Sequence, residues 1–309
     1  MSRLPEEIDV QPRLSSAGLL VRATRLPFLT ATLVSVFLGL AIAAHDAPFR
    51  WGLAILTAIA ACAVHLGLNV ANDVFDTLSG ADAANPTPTA FSGGSRVIVD
   101  GLVSVPQMVA LGAVCYAVGL GIGLYLAIER GFWPLFSIGA AGAFISIAYT
   151  APPFRLVHRG LGEIAVALGF GPVMTLGAYY VEAQRLSWEA AYASAPVGIL
   201  IALVLYVNEV PDRRGDALAG KRTLPVRLSR KAIVGGYAGA AAVAFALIVL
   251  GAASGLMARP SIVAVAAAPL AVSVYRGLPA GYDDTYTLVP VMARNIQLHL
   301  ATGLLLIAG

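Results

Sequence analysis

Nine long apolar stretches constrain the fold of this 309-residue chain more than any other feature. Each is near the ~20 residues that a helix needs to cross the hydrocarbon core of a bilayer. Only 12% of the residues are charged, about half the share of a typical soluble domain. The last two stretches are the weakest, because Pro269 interrupts one and Arg294, Asn295 and Gln297 interrupt the other. The sequence therefore predicts a membrane protein with candidate spans at 26–44, 51–71, 105–127, 132–149, 161–181, 190–208, 232–252, 260–276 and 287–307.

The basic residues predict the orientation. If the N-terminus lies in the cytoplasm, four basic residues fall on the outer side of the membrane: Arg50, Arg130, Arg185 and Arg259. The sixteen inner ones are Arg3, Arg13, Arg22, Arg25, Arg96, Arg155, Arg159, Arg213, Arg214, Lys221, Arg222, Arg227, Arg230, Lys231, Arg276 and Arg294. This positive-inside bias predicts an integral protein of the cell (inner) membrane whose long inner loops, 72–104 and 209–231, form a cytoplasmic working face. The net charge of +3 follows from that topology and indicates no nucleic-acid partner.

The N-terminal residues 1–20 are polar and include acids, unlike a cleavable signal peptide. We expect them to form a polar cytoplasmic tail, followed by one transmembrane domain over 21–309.

Two similar acidic segments end two of the apolar stretches: "NDVFD" at 72–76 and "NEVPD" at 208–212. On a helix, Asn69, Asn72, Asp73 and Asp76 share one face. The matching order suggests an internal duplication of a four-helix unit, although such short matches also arise by chance.

The second segment continues to Asp216, so that Asn208, Asp212 and Asp216 also share a helix face, with Glu209 beside them. Pro211 predicts a bend at 210–211 that would place the two aspartates on a following turn. The alternative interpretation is that such acids only occupy a solvent-exposed helix end and have no functional role. Two matching sets near a bilayer favour a functional site instead.

The side chains of the two segments predict a cation between them, because stacked carboxylates repel one another. All the candidate ligands are carboxylate or amide oxygens, which suit Mg²⁺. Substrate phosphates commonly complete the coordination shell of a protein-bound Mg²⁺. Arg96, Lys221 and Arg222 are therefore candidate diphosphate-binding residues, and backbone amides near Gly93 and Gly94 can also contact the anion. Each basic residue taken alone also fits a helix-end anchor. The four histidines share no metal-ligand spacing; they are His45, His65, His158 and His299.

These segments resemble the UbiA superfamily of intramembrane prenyltransferases, which carries an NDxxDxxxD-type first motif and a DxxxD second motif. The second motif is present as Asp212 to Asp216, but the first departs from the pattern, because position 80 is Gly and Asp82 follows two residues later. The segments "NDVFDTLSGAD", "FSGGSRVIVDG", "YTAPPFRLVHRGLGE" and "GKRTL" are similar to the branch (MenA) that prenylates 1,4-dihydroxy-2-naphthoate in menaquinone synthesis.

The resemblance implies an all-α bundle of nine transmembrane helices around a central cavity that opens to the membrane. It implies Mg²⁺ between the two motifs, a polyprenyl diphosphate and an aromatic acceptor as substrates, and transfer of the isoprenyl group to the acceptor. The implied catalytic and metal-binding residues are Asp73, Asp76, Asp212 and Asp216. The diphosphate-binding candidates are Asn69, Asn72, Arg96, Asn208, Lys221 and Arg222. The acceptor-binding candidates are Arg22, Arg25, Tyr149 and Arg155, and Arg22 matches the family better than Arg25.

Two alternatives stay open from the sequence. One is a related transferase or cyclase that acts on another quinone precursor or lipid. The other is a secondary transporter, which nine spans and a possible repeat fit loosely. Transporter sites lie near the bilayer midplane, whereas these acids lie at span ends, so the sequence favours the enzyme.

Overall fold

The computed structural model describes residues 15–309, and every regular element in that range is a helix. Nine helical segments of this range are long and apolar enough to cross a membrane, which confirms the predicted number of spans. Arg3, Arg13 and most of the predicted polar tail lie outside the described residues. The α-helices are α1 (Ser16–Thr24), α2 (Leu29–Asp46), α3 (Trp51–Ser79), α4 (Ala81–Ala84), α5 (Val105–Arg130), α6 (Phe132–Thr150), α7 (Gly162–Leu168), α8 (Met174–Ala183), α9 (Trp188–Leu218), α10 (Leu224–Arg227), α11 (Arg230–Ser254), α12 (Ala268–Gly281) and α13 (Thr285–Ala308).

Local side-chain chemistry fixes several helix ends. Ser104 and Gln107 form a capping box at the start of α5, and Asp284 caps the first turn of α13. At the end of α3, Gly80 adopts a left-handed conformation with φ of 81°. Glycine takes this conformation without a steric penalty. Position 80 therefore ends α3, and the chain turns directly into α4, which carries Asp82.

The helices α3 and α9 are the longest, at 29 and 31 residues, and both extend beyond their apolar stretches. Both acidic segments consequently lie on helices. The bend expected at 210–211 does not end the helix, because α9 continues through Pro211 to Leu218. Asp212 and Asp216 thus lie on the same helix as Asn208, rather than on a following turn.

Two of the nine spans are irregular. The fifth consists of α7, a π-helical segment at Gly169–Val173 that contains Pro172, and α8. The eighth begins as a 3₁₀-helix at Arg259–Ala267 and continues as α12. Pro269 lies in the first turn of α12, where proline is tolerated because its missing N–H has no intrahelical partner anyway.

The helix α9 forms the centre of the bundle. Leu200, Leu203 and Val207 pack with residues of α11, α12 and α13 in one apolar cluster, whereas Val197 and Ile201 pack with α2 and α13 in another. Burial on opposite sides fixes the rotation of α9, and with it the direction in which its acidic end points.

The segment between α4 and α5, residues 85–104, covers the acidic ends. Val97 is fully buried against Val70 and Val74 of α3 and Met108 of α5. Burying such a side chain contributes about 1.5–3 kcal/mol, so this contact anchors the segment over the end of α3. Its backbone amides are thereby placed beside the acidic stripes.

Candidate active site

A polar cavity of about 330 Å³ lies between the C-terminal ends of α3 and α9. The α3 helix contributes one stripe of polar side chains, α9 contributes another, and the segments after each helix close the site. The Arg, Lys, Asp, Glu and Asn side chains that line it are Arg25, Asn69, Asn72, Asp76, Asp82, Asn85, Asn208, Glu209, Asp212, Asp216 and Lys221. The two sequence motifs therefore meet at one cavity, as the periodicity of their acids predicts.

Lys221 joins the two acidic stripes. Its Nζ lies 3.0 Å from Asp76 Oδ2 and 3.6 Å from Asp216 Oδ1, and the residue is only 8% exposed. Burial by itself lowers the pKa of Lys221, but the neighbouring carboxylates Asp76 and Asp216 outweigh it, so the pKa is raised well above its ordinary value. The side chain is a permanent positive charge between the stripes.

The covering segment holds one carboxylate of each stripe through a backbone amide. The N–H of Ser95 donates to Asp73 at 3.1 Å, and the N–H of Gly93 donates to Asp212 at 3.0 Å. Asn85 Nδ2 donates to the other oxygen of Asp212 at 2.7 Å. Two amides separated by a single residue thus fix the first aspartate of both motifs.

Asp82 lies close beneath this segment. A Cβ added to Gly94 would come within 2.4 Å of Asp82 Oδ2, and Gly94 has φ of 71°, so only glycine fits there. Burial raises the pKa of Asp82 to about 8, with the charges of Asp76 and Asp73 adding to the effect. No basic side chain within residues 15–309 forms an ion pair with this buried acid, and a cation in the cavity would lower its pKa.

The remaining predicted polar residues of α3 and α9 also line the cavity, with one exception. Asn72 donates to Asp76 at 3.1 Å, and Asn69 donates to the carbonyl of Thr24 at 3.1 Å. Asp73 is 2% exposed and faces the covering segment, so it does not line the cavity. Its role as a metal ligand stays a prediction.

The predicted basic residues divide into two groups. Arg25 and Lys221 line the cavity, whereas Arg22, Arg96, Arg155 and Arg222 do not. Arg22 binds the carbonyl of Ser95 at 2.8 Å and Asp100 at 2.6 Å. The family match favoured Arg22 over Arg25; in the structure Arg25 lines the cavity, whereas Arg22 braces the covering segment.

The other three basic candidates, Arg96, Arg155 and Arg222, lie in loops between the spans. Arg96 donates to the carbonyl of Asp82 at 3.0 Å, and the backbone N–H of Arg222 donates to the carbonyl of His158 at 2.9 Å. Arg222 and Arg155 are exposed. Arg96 thus supports the turn that carries Asp82.

A second cavity, of about 490 Å³ and lined almost entirely by apolar side chains, adjoins the first. Five residues line both cavities: His65, Leu68, Tyr149, Val166 and Phe170. Tyr149, a predicted acceptor-binding residue, therefore lies at the junction. A ligand with a charged head and an apolar tail can occupy the two cavities at once.

Two residues that line this cavity, His65 and Asn85, were not among those predicted from the sequence. His65 Nδ1 lies 2.7 Å from the hydroxyl of Thr32, and its ring meets Phe170 edge-on at 4.7 Å. His65 lies four residues before Asn69, so its place on the same helix face was readable in the sequence. Asn85 gave no such signal, because its contact with Asp212 depends on the fold of the covering segment.

The donor atoms of the polar cavity fit a magnesium ion whose coordination shell is completed by a substrate. The carboxylates and amides of the two stripes offer oxygen atoms, and Asp76 Oδ1 and Asn208 Oδ1 are buried without a hydrogen-bond partner among the described residues. Within residues 15–309, no three acidic, histidine or cysteine side chains are close enough to form a metal cage by themselves. Mg²⁺ usually binds through one or two carboxylates together with substrate phosphates, so this donor set suits it.

Comparisons with known proteins agree with this geometry. The chain is 34% identical over 264 residues to the 1,4-dihydroxy-2-naphthoate octaprenyltransferase of Mycobacterium tuberculosis, covering 84% of this chain and 85% of that protein. It is 26% identical over 291 residues to the 2-carboxy-1,4-naphthoquinone phytyltransferase of Synechocystis, covering 93% and 91%.

A solved structure shares the fold. A UbiA homolog from Archaeoglobus fulgidus, described as bound to GPP and Mg²⁺, superimposes with a TM-score of 0.62 at 15% identity, covering 94% of this chain and 99% of that one. The pattern of the UbiA prenyltransferase family matches residues 32–285. The chain is therefore a membrane prenyltransferase that belongs to the UbiA prenyltransferase family.

Proposed function

We propose that this enzyme transfers an isoprenyl group from an allylic polyprenyl diphosphate to 1,4-dihydroxy-2-naphthoate, in a reaction that requires Mg²⁺. The observation that carries the proposal is the junction of an acidic, lysine-bearing cavity with a larger apolar one. The relatives named above support a naphthoate acceptor. They differ in the tail they transfer, octaprenyl in one and phytyl in the other.

The polar cavity holds the diphosphate. Asp76, Asn72 and Asp82 from the α3 side and Asn208, Asp212 and Asp216 from α9 supply the oxygens that hold Mg²⁺. When bound, the ion neutralises charge on the leaving diphosphate. Asp82 takes the role of the third aspartate of the family's first motif. Gly80 ends α3 at the position of that aspartate, and α4 then brings the Asp82 carboxylate to the same cavity.

Lys221 assists the departure of the diphosphate. As the allylic carbon–oxygen bond breaks, the electron pair leaves with the diphosphate, and a fixed ammonium group beside it lowers the energy of that charge. The apolar side chains at the junction exclude water from the allylic cation. An electron-rich ring carbon of the acceptor then forms the new carbon–carbon bond, and the ring regains aromaticity as the carboxyl group is lost as CO₂.

Arg25 and Tyr149 are the residues best placed for the acceptor. Both line the polar cavity, and neither belongs to the acidic stripes. A guanidinium binds a carboxylate with two parallel hydrogen bonds, which suits the carboxyl group of the naphthoate. Tyr149 lies where the two cavities meet, beside the expected position of the allylic carbon.

The orientation of the protein is part of the proposal. The excess of basic residues on the side of the acidic helix ends supports a site that faces the cytoplasm from the cell (inner) membrane. In intact cells, a cysteine at Leu218 would then resist a membrane-impermeant thiol reagent, whereas one at Trp188 would react. The reverse pattern would contradict this orientation.

Mass spectrometry of products tests the reaction. Purified enzyme is incubated with 1,4-dihydroxy-2-naphthoate, 4-hydroxybenzoate or homogentisate, each with geranyl or geranylgeranyl diphosphate. We expect a prenylated, decarboxylated naphthalene product in the presence of Mg²⁺ and no product after chelation. Prenylation of only another acceptor would overturn the naphthoate assignment, and activity unaffected by EDTA would overturn the metal requirement.

A further inference from the structure

His65 lies where the two cavities join, one helical turn before the acidic stripe of α3. Its ring lines both the polar and the apolar cavity. Only 5% of the residue is exposed, and Phe170 packs edge-on against the ring. An imidazole in this position can bind a polar group of a ligand if one of its nitrogens faces the open space.

The hydrogen bond with Thr32 fixes the hydrogen of the His65 ring. Thr32 Oγ1 lies 2.7 Å from Nδ1, and Thr32 is fully buried, with no other partner for its hydroxyl among the described residues. Ser35 of the same helix instead donates to the carbonyl of Ala31. A buried hydroxyl is costly to leave without an acceptor, so Thr32 donates to Nδ1. Nδ1 therefore carries no hydrogen, the ring is neutral, and Nε2–H is its donor.

The donor Nε2–H of His65 faces the junction of the cavities. Nε2 makes no hydrogen bond with the described residues, yet it is not enclosed by them. Because the ring lines both cavities, the space that Nε2 reaches is the space where they join. A ligand oxygen at that point would complete the hydrogen bonding of the imidazole.

The spacing along α3 indicates which ligand oxygen this is. A helix rises about 1.5 Å per residue, so His65 lies about 16 Å along the axis from Asp76, beyond a diphosphate held beside Asp76. Asn69 lies between them and donates to the carbonyl of Thr24. The next residue, Arg25, is therefore at a level about one helical turn from His65. A carboxylate on Arg25 and an oxygen on His65 are thus separated by roughly one aromatic ring.

We propose that His65 Nε2–H binds the 4-hydroxyl group of the acceptor while Arg25 holds its carboxylate, and that Thr32 positions the imidazole for this contact. This inference rests on the proposed function and adds a second anchor for the acceptor. Two anchors fix the rotation of the ring in its own plane, so they decide which ring carbon faces the allylic carbon. A single anchor leaves the ring free to turn about it.

An acceptor analogue without the 4-hydroxyl group isolates this contact. Purified enzyme in nanodiscs is loaded with Mg²⁺ and geranyl S-thiolodiphosphate, an unreactive donor analogue. Calorimetry then measures the dissociation constants of 1,4-dihydroxy-2-naphthoate and 1-hydroxy-2-naphthoate. We expect the wild-type enzyme to bind the dihydroxy compound about tenfold more tightly, as one hydrogen bond predicts. In His65→Leu this preference should fall below about twofold, through loss of affinity for the dihydroxy compound alone.

Further variants separate ligand binding from a structural role of the ring. His65→Gln should keep most of the preference, because the glutamine amide nitrogen can donate from a similar position. Thr32→Val should reduce the preference about threefold and Thr32→Ser should keep it, since only serine retains the hydroxyl that donates to Nδ1. His45→Leu is the matched control, the same substitution at an exposed histidine outside both cavities, and it should change neither dissociation constant.

The outcomes bear separately on the contact and on the proposed function. A preference in folded His65→Leu equal to that of the wild type would overturn the contact, and so would a wild-type enzyme that binds both naphthoates equally. Transfer assays that give no product would overturn the proposed function, but the binding comparison needs no turnover and still decides the role of His65. If only another acceptor is prenylated, the naphthoate assignment fails. That acceptor and its analogue without the hydroxyl, such as 4-hydroxybenzoate and benzoate, then decide the contact.

Discussion

The acidic ends of α3 and α9 look alike in sequence, and the structure uses them in a partly parallel way. In each, the first aspartate accepts a backbone amide of the covering segment, Asp73 from Ser95 and Asp212 from Gly93. The second aspartate of each contacts Lys221. The two ends differ in one respect: Asp212 also lines the cavity, whereas Asp73 is turned away from it.

This difference means that matching motifs need not place matching side chains in the cavity. The α9 end offers three candidate ligands from one helix face, Asn208, Asp212 and Asp216. The α3 end offers Asn72 and Asp76, and it gains a third acid, Asp82, only after the helix has ended at Gly80. The asymmetry leaves Asp73 free to anchor the covering segment.

The largest expected effect tests the parallel part of the comparison, the two aspartates that share Lys221. Asp76→Asn and Asp216→Asn should each lower kcat by about 10²–10³-fold, the range found when one group that stabilises transition-state charge is removed. Steady-state prenyl transfer at saturating Mg²⁺ measures this. Asp283→Asn is the control, since Asp283 is an exposed carboxylate outside the cavity that pairs with Arg213 and Arg230. A kcat within threefold of wild type in either cavity variant would contradict the assignment.

An intermediate effect separates the first aspartates of the two motifs. Asp212→Asn should raise the Mg²⁺ concentration for half-maximal activity about tenfold or more, because it removes a charge from the cavity. Asp73→Asn should leave that concentration unchanged but lower the stability by about 1–3 kcal/mol, through weakened hydrogen bonding to the Ser95 amide. Magnesium titrations and thermal unfolding of both variants provide the measurement. Equal shifts in Mg²⁺ dependence would restore Asp73 as a ligand.

The last expected effect, which is confined to one substrate, concerns the acceptor. Arg25→Gln should lower kcat/KM for the naphthoate by about ten- to a hundredfold, as the loss of a charge-assisted hydrogen bond of roughly 1.5–3 kcal/mol predicts, mainly through the KM of the acceptor. Arg155→Gln should change it less than threefold, because Arg155 is exposed and does not line the cavity. If the two variants behave alike, the acceptor carboxylate is held elsewhere.

The sequence by itself determined the membrane class, the nine spans and an acidic stripe on each of two helices. These follow from the length of the apolar stretches and from helical periodicity, which are local properties of the chain. The same periodicity placed Asn72, Asp76, Asn208, Asp212 and Asp216 on the faces that line the cavity. Motif resemblance then supplied the family.

Only the tertiary structure decided which of those side chains reach the cavity. Asp73 and Asp76 lie three residues apart on one helix, yet the covering segment binds one and leaves the other to Lys221. That choice depends on the buried contact of Val97 with α3, which joins segments distant in sequence. Arg25 was separated from Arg22 in the same way, because a helix periodicity cannot show which loop will pack against it.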